Sequence, residues 1–237
     1  MTRFYRIERS VLYSPAWFVP FDEFAGRPQA ASVTVELDRF IDDAWVPEDV
    51  RPVRTPSGAI AYPGLGRRGG PGRFRARFTA PGHAPLYPAD DEPFAADLVG
   101  VEFATFPYDE DRPPAELAGP RVVRLLPGAA FPYGPGVRTV YGVVVDGATQ
   151  APVANALVTV DGTTGLDGTA WRERTLTDPR GVFRLALRWE GQRTTTPPDT
   201  EAFLLAATER PGRTGSVEIR LPADRDRRHV IEIVSQP

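Results

Sequence analysis

The sequence predicts an all-β fold, two tandem β-sandwich modules joined by a Pro/Gly-rich linker, on three observations. Proline and glycine number 26 and 22 in 237 residues, about a fifth of the chain against roughly an eighth on average, which favours turns and short strands over helices. Apolar and polar residues alternate with period two in several short runs, the pattern of half-buried strands. Turn signals recur between those runs, and many short strands with regular turns read as a sandwich. The length suits one large or two small domains.

Residues 1–29 are aromatic, with Phe4, Tyr5, Tyr13, Trp17, Phe18, Phe21 and Phe24. They read either as a first strand packed on the core or as an arm whose rings, Trp17, Phe18 and Phe21 foremost, anchor a neighbour. Residues 30–126 form the first sandwich-like domain. Ser32-Val33-Thr34-Val35-Glu36-Leu37 alternates as a half-buried strand. Arg73-Phe74-Arg75-Ala76-Arg77-Phe78 alternates too, setting three arginines on one face and Phe74, Ala76 and Phe78 on the other.

Residues 127–136, from Pro127-Gly128 to Pro135-Gly136, are the expected domain joint, stiffened by proline. Residues 137–237 form the second sandwich. Strands are expected at Tyr141 to Val145, Ala154 to Val160, entering at Thr175, Val182 to Leu187, Phe203 to Thr208 and His229 to Val234. Turns are expected at Asp146 to Thr149 and at Asp178-Pro179-Arg180-Gly181, which has type I preferences. The order of a Pro-led strand (Ala44 to Val53, Ala151 to Val160) and a Phe-led strand ending in Pro-Gly (Phe74 to Gly82, Phe203 to Gly212) suggests that the halves repeat.

Three stretches carry a resemblance: Tyr141-Gly142-Val143-Val144-Val145-Asp146, Ala151 to Val160 with Pro152, Val153, Ala156 and Val158, and Thr177-Asp178-Pro179-Arg180-Gly181-Val182-Phe183. Together they resemble the carboxypeptidase regulatory-like, transthyretin-like β-sandwich domain. The resemblance implies the fold of the last hundred or so residues and almost nothing about activity. In the first half, Ala61 to Leu65 and Phe106 to Asp109 resemble, more weakly, segments of small accessory proteins of contractile injection systems and phage tails.

Composition limits the chemistry. The chain has no cysteine, so no disulfide or thiolate. All 28 basic residues are arginine, so no Schiff-base or P-loop lysine exists. Transthyretin-like hydroxyisourate hydrolases resemble this fold but use active-site histidines and a Tyr-Arg-Gly-Ser terminus, where this sequence reads Ile233-Val234-Ser235-Gln236-Pro237. Intradiol dioxygenases use two close histidines, whereas His83 and His229 lie in different segments. His229-Val230-Ile231-Glu232 matches a short zinc pattern, but strand positions three apart point to opposite faces. Asp90-Asp91-Glu92 and Asp109-Glu110-Asp111 lack an EF-hand spacing and read as solvated loop charge. No catalytic residue, metal or cofactor is expected.

The informative polar feature is a charge split. Arg51, Arg54, Arg67, Arg68, Arg73, Arg75 and Arg77 occur without any acid in the stretch from Arg51 to Ala89, and nine acids follow from Asp90 to Glu116. The blocks either pair within one domain or form opposite patches suited to protein contacts. A net charge of −3 disfavours nucleic acid.

The expected function is therefore a non-enzymatic structural or adaptor protein acting through protein contacts, as part of a contractile, phage-tail-like particle. Its contact residues would be Arg67, Arg68, Arg73, Arg75, Arg77, Trp17, Phe18 and Phe21, and its partners other particle components or copies of itself. The alternative is a cell-surface or carbohydrate-binding module using Trp17, Trp45, Trp171 and Trp189; a hydrolase with an unfamiliar site ranks last. Pro15 and Pro20 interrupt the first apolar stretch, so no signal peptide or membrane span is expected, and synthesis is expected in the cytoplasm, with a place in a released or cell-associated particle.

Overall fold

The computed structural model describes residues 13–29, 32–66, 71–88, 92–106, 109, 111, 119–163, 168–187 and 200–235. Among them the regular structure is β throughout, apart from one 3-10 turn at Pro63–Gly66.

Two sheets enclose the first core. One runs β5 (Val53–Arg54), β6 (Ile60–Ala61), β1 (Trp17–Asp22), β10 (Arg121–Pro127), β8 (His83–Leu86), with β2 (Arg27–Pro28) also on β1. The other runs β4 (Ala44–Pro47), β3 (Thr34–Ile41), β7 (Gly72–Thr79), β9 (Val101–Thr105). β1 lies parallel to β10, and the arginine-bearing β7 is antiparallel to both β3 and β9. As the alternation requires, β7 buries Phe74, Ala76 and Phe78. Phe18 of β1 meets the rings of Phe78 and Phe103 edge-on at 5.4 and 5.6 Å, the geometry that the ring quadrupoles favour.

The second core is wrapped by a single ladder: β13 (Ala170–Leu176), β12 (Leu157–Thr163), β15 (Glu201–Arg210), β16 (Arg213–Leu221), β17 (Arg228–Ser235), β11 (Thr139–Asp146), β14 (Val182–Ala186). β16 and β17 share only the pairs Arg213 with Ser235 and Thr214 with Val234. The ladder turns over at this narrow join, so Val158, Val160, Phe203, Leu205 and Ile219 of one part pack in the same cluster as Val140, Val144, Phe183, Leu185 and Ile231 of the other.

Several boundaries differ from the expectation. The second strand of this half starts at Leu157 rather than Ala154, because Asn155 sits in a turn with φ +54°. β13 begins at Ala170, earlier than expected, and β16 has no counterpart in the expected strands. The two Pro-Gly turns do share a conformation, Gly82 at φ +73° and Gly212 at φ +75°. Their strands then part: β16 folds back on β15, whereas β8 leaves β7 and pairs with β10 in the opposite sheet. The resemblance of these segments is thus one of turns, not of topology.

Candidate interaction surfaces

The arginine face of β7 is a ladder of compensated charge. Register sets Arg75 opposite Asp38 of β3 and Glu102 of β9, and Arg77 opposite Glu36. Asp38 is only 2% exposed. It accepts from Arg75 Nε at 3.1 Å and Nη2 at 2.8 Å, and from Arg77 Nε at 2.9 Å and Nη2 at 3.0 Å. The Arg77 hydrogen bond, against the cost of burial and helped by Arg75, holds the Asp38 carboxyl below the usual carboxylate range. Arg77 also pairs with Glu36 at 2.9 Å, and Arg73 pairs with Glu102. Trp45 and Phe40, stacked edge-to-face at 5.1 Å, carry the guanidinium groups of Arg73 and Arg75 over their rings.

These contacts refine the charge split. Among the described residues only Arg73–Glu102 joins the two sequence blocks; Arg75 and Arg77 find their acids upstream, on β3. Three arginines meet three carboxylates, so the stripe is locally neutral. Arg67 and Arg68, Asp90 and Asp91, Glu110 and Trp189 lie outside the described residues, as do Phe4 and Tyr5 of the aromatic arm.

The remaining aromatic candidates divide by the pleat of β1. Phe18 is wholly buried; it belongs to the core and offers no surface to a neighbour. Trp17 and Phe21 point the other way and are half-buried, Trp17 Nε1 donating to Ser14 O at 3.1 Å. Phe24 packs against Phe131 and Tyr133 of the Pro/Gly joint at 5.5 and 5.2 Å. Of the tryptophans, Trp171 is core and Trp45 lies under two guanidinium groups.

A seam between the cores, not expected from the sequence, is closed by residues far apart in the chain. Glu23, just after β1, accepts from Arg174 Nε of β13 at 2.6 Å, and Arg124 of β10 approaches it at 3.5 Å. Its neighbour Asp22 is buried and lies 3.2 Å from His83 Nε2; His83 Nδ1 lies 2.9 Å from Pro81 O, and the His83 ring abuts Phe131 at 4.9 Å. Leu86 and Leu126 from one side meet Leu176 from the other. Thr175 donates to Pro127 O at 2.6 Å. Across the joint, Tyr133 donates to Arg184 O at 3.4 Å on the edge strand β14 and lies under the Arg184 guanidinium. The only signals for this seam in the sequence were the adjacent acids Asp22-Glu23 and the aromatic joint.

A cleft of about 320 Å³ opens along the seam, with Arg77, Leu86, Tyr87, Phe94, Asn155 and Leu176 among its walls. Its floor is the part of β7 beyond Ala76, where pairing with β9 stops. There the Tyr87 hydroxyl takes the place of a strand, accepting from Phe78 N at 3.2 Å and donating to Phe78 O at 3.3 Å. Burial pushes this phenol up from its ordinary range.

In the second half the motif residues hold the fold. Asp178 Oδ1 accepts from Arg180 N and Val182 N, both at 2.9 Å. Burial works against its ionisation, yet these N–H groups and the Arg180 guanidinium hold its carboxyl below the usual range. Gly181 takes φ +71°, and a Cβ there would lie 2.6 Å from Val144 O. Thr177 ties Val153 O at 2.7 Å to Ala156 N at 2.8 Å. A Cβ on Gly142 would meet His229 O at 2.3 Å and the Phe183 ring at 2.7 Å, so the glycine makes room for that ring. His229 is buried and close to Asp224 O at 3.1 Å, while Glu232 faces outward on the same strand, as strand geometry requires.

The fold and these surfaces define an all-β protein of the sandwich class. No protein-family model matches the chain, and no curated protein matches it. Among solved structures it is similar to a streptococcal ancillary pilin, at 14% identity and TM-score 0.28 over 94% of this chain and 62% of the pilin chain. It is also similar to a DUF3823 family protein from Bacteroides uniformis, at 10% identity and TM-score 0.26 over 94% of this chain and 98% of that one. The chain spans less than two thirds of the pilin's length, and neither likeness bears on what this chain does. No described helix is long and apolar enough to cross a membrane.

Proposed function

We propose that this chain is a non-enzymatic structural or adaptor protein that works through protein–protein contacts. The observation that carries the reading is the commitment, among the described residues, of the buried serine, threonine, aspartate and histidine side chains to the scaffold. Ser14 donates to Ala16 O and accepts from Tyr62 N; Asp22 and Asp38 take histidine and arginine; Thr175 and Thr177 bond to backbone; His229 lies against Asp224 O. A reaction needs groups whose hydrogen-bonding capacity is directed at a substrate, whereas these are directed at turns, strands and the seam. The seam, with its Glu23–Arg174 pair and leucine contacts, supports a stiff two-lobed part rather than two loosely tethered modules.

The structural duties of Gly142, Thr177, Asp178, Gly181 and Phe183 support reading residues 137–237 as a carboxypeptidase regulatory-like module. Membership of a phage-tail-like contractile particle is the finer proposal, supported by the sequence resemblance alone. Trp17, Phe21 and the exposed ends of the Arg73 to Arg77 ladder are its proposed contact points. Cross-linking in native cell extract, followed by sedimentation, tests both levels. The chain should travel with a partner at fixed stoichiometry, with cross-links mapping to these surfaces; for the finer proposal it should travel in a high-mass particle. A light species without a cross-linked neighbour would count against the adaptor reading itself.

A further inference from the structure

On the outer face of β14, β11 and β17 the joint covers one corner, where Tyr133 and Phe131 meet Arg184, and the β17 side is left exposed. Antiparallel pairing sets Val182 beside Val143, and parallel pairing sets Val230 on the other side of Val143. Three valines thus form one row across three strands on the face opposite the core, since Val144, Phe183 and Ile231 point inward. Val143 in the middle is only 6% exposed and Val182 is half-buried, so the exposed part of the face lies along β17 and at Tyr141. Val230 is 47% exposed, and Tyr141 and Val234 on the same face are 43% and 53% exposed. A sheet face turned to solvent ordinarily alternates to polar residues, and exposed apolar side chains such as Tyr141, Val230 and Val234, gathered on one face within a charged rim, mark a contact surface.

The rim is specific. On β17, Arg228 and Glu232 stand two residues to either side of Val230, on its face and exposed. We infer that this face is a self-association surface whose occupant is the same face of a second copy of this chain, related by a two-fold axis near Val230. With that axis lying between the two faces and perpendicular to β17, the strand runs antiparallel to its counterpart. Arg228 then comes opposite Glu232 of the second copy, and Glu232 opposite its Arg228, bracketing the valine contact with two identical ion pairs. Facing sheets pack about 10 Å apart, within reach of an arginine and a glutamate extended toward each other. Of the described neighbours, the Gln150 amide touches this rim, in a long 3.4 Å contact to Glu232 that is easily exchanged. An acidic or a basic partner would leave one of the two charges unmatched; a copy of the face matches both.

This inference names one partner for the contact role proposed above and rests on that role. Sedimentation equilibrium of the full chain, from micromolar to several hundred micromolar, is the test, with circular dichroism to confirm that each variant is folded. The chain should show a monomer–dimer equilibrium. Val230→Asp should weaken it at least about tenfold. Arg228→Glu and Glu232→Arg should each weaken it about tenfold, and the double swap should return it to within about threefold of the parent. A chain monomeric throughout, a dimer indifferent to V230D, or single swaps that simply add in the double would each overturn the inference. If the monomeric chain still carries a stoichiometric partner in the cross-linking experiment, the adaptor reading survives its loss; if it carries none, both fall.

Discussion

Replacing Asp38 by asparagine tests whether the arginine ladder is part of the folded frame. The side chain keeps its size, but its negative charge goes and one oxygen becomes an NH₂ donor. Three of its four hydrogen bonds fall on Oδ2 and one, from Arg77 Nη2, on Oδ1. The substituted amide therefore does best with its oxygen at the Oδ2 position, which sets its NH₂ against the Arg77 guanidinium. One charge-assisted bond is lost, worth about 1.5–3 kcal/mol, and two guanidinium groups lose their shared anion. Breaking a buried pair costs about 3–5 kcal/mol, but the Arg77 side chain is 36% exposed, and water offsets part of that. The expected loss is about 2–4 kcal/mol. At roughly 2–4 °C per kcal/mol for a chain of this size, the melting temperature should fall by about 8 °C.

Urea denaturation of parent and variant measures the difference, as a lower midpoint at unchanged slope. Its pH dependence carries the sign. The folded Asp38 carboxyl lies below its unfolded value, held there first by the Arg77 hydrogen bond. Its contribution is therefore complete above the unfolded carboxylate value of about 4 and is lost as pH falls through the lower folded value. Asparagine does not titrate, so parent and variant should converge in strongly acidic buffer. A loss below about 1 kcal/mol at neutral pH, or one that stays constant into acid, would refute the assignment of Asp38 as the anchor.

Three further substitutions probe other parts of the frame. Burial pushes the Tyr62 hydroxyl up to about 12, and it has no hydrogen-bond partner among the described residues; Tyr62→Phe should be neutral or stabilising by up to about 1 kcal/mol in urea denaturation, and a clear loss would reveal a partner. Gly142→Ala drives a methyl into His229 O and the Phe183 ring, so thermal melts should show a loss of about 2–3 kcal/mol. Glu23→Gln weakens the clasp on Arg174; limited proteolysis should then cut the 128–136 joint several times faster, and an unchanged rate would separate the clasp from the rigidity of the seam.

Legibility followed the range over which each feature is decided. The strands β3, β7, β11, β14, β15 and β17 were readable because alternation is a property of one segment: Phe74, Ala76 and Phe78 are buried by β7 alone, whatever lies opposite. The turn at Asp178 to Gly181 was readable for the same reason, since its hydrogen bonds close within five residues. β16 was harder. Gly215 interrupts its apolar pattern because a Cβ there would collide with Glu232 O at 2.0 Å, a constraint imposed by β17 rather than by β16 itself.

The candidate surface shows the same division more sharply. Counting charge along the chain set the arginines of β7 against the acids that follow them, because those are neighbours in sequence. A sheet makes neighbours differently: antiparallel register brings Asp38 to Arg75 across 37 residues and Glu102 to Arg73 across 29. Glu36 and Asp38 stand in the sequence as the polar side of an alternating strand, yet nothing local says which strand will lie beside them. The seam is the extreme case, where Glu23 finds Arg174 across 151 residues. A charge run is therefore evidence of a surface only after the strands beside it are known. By that criterion the β17 face, where Arg228 and Glu232 bracket an exposed valine on a single strand, is the sounder place to look for a partner than the longer arginine stripe.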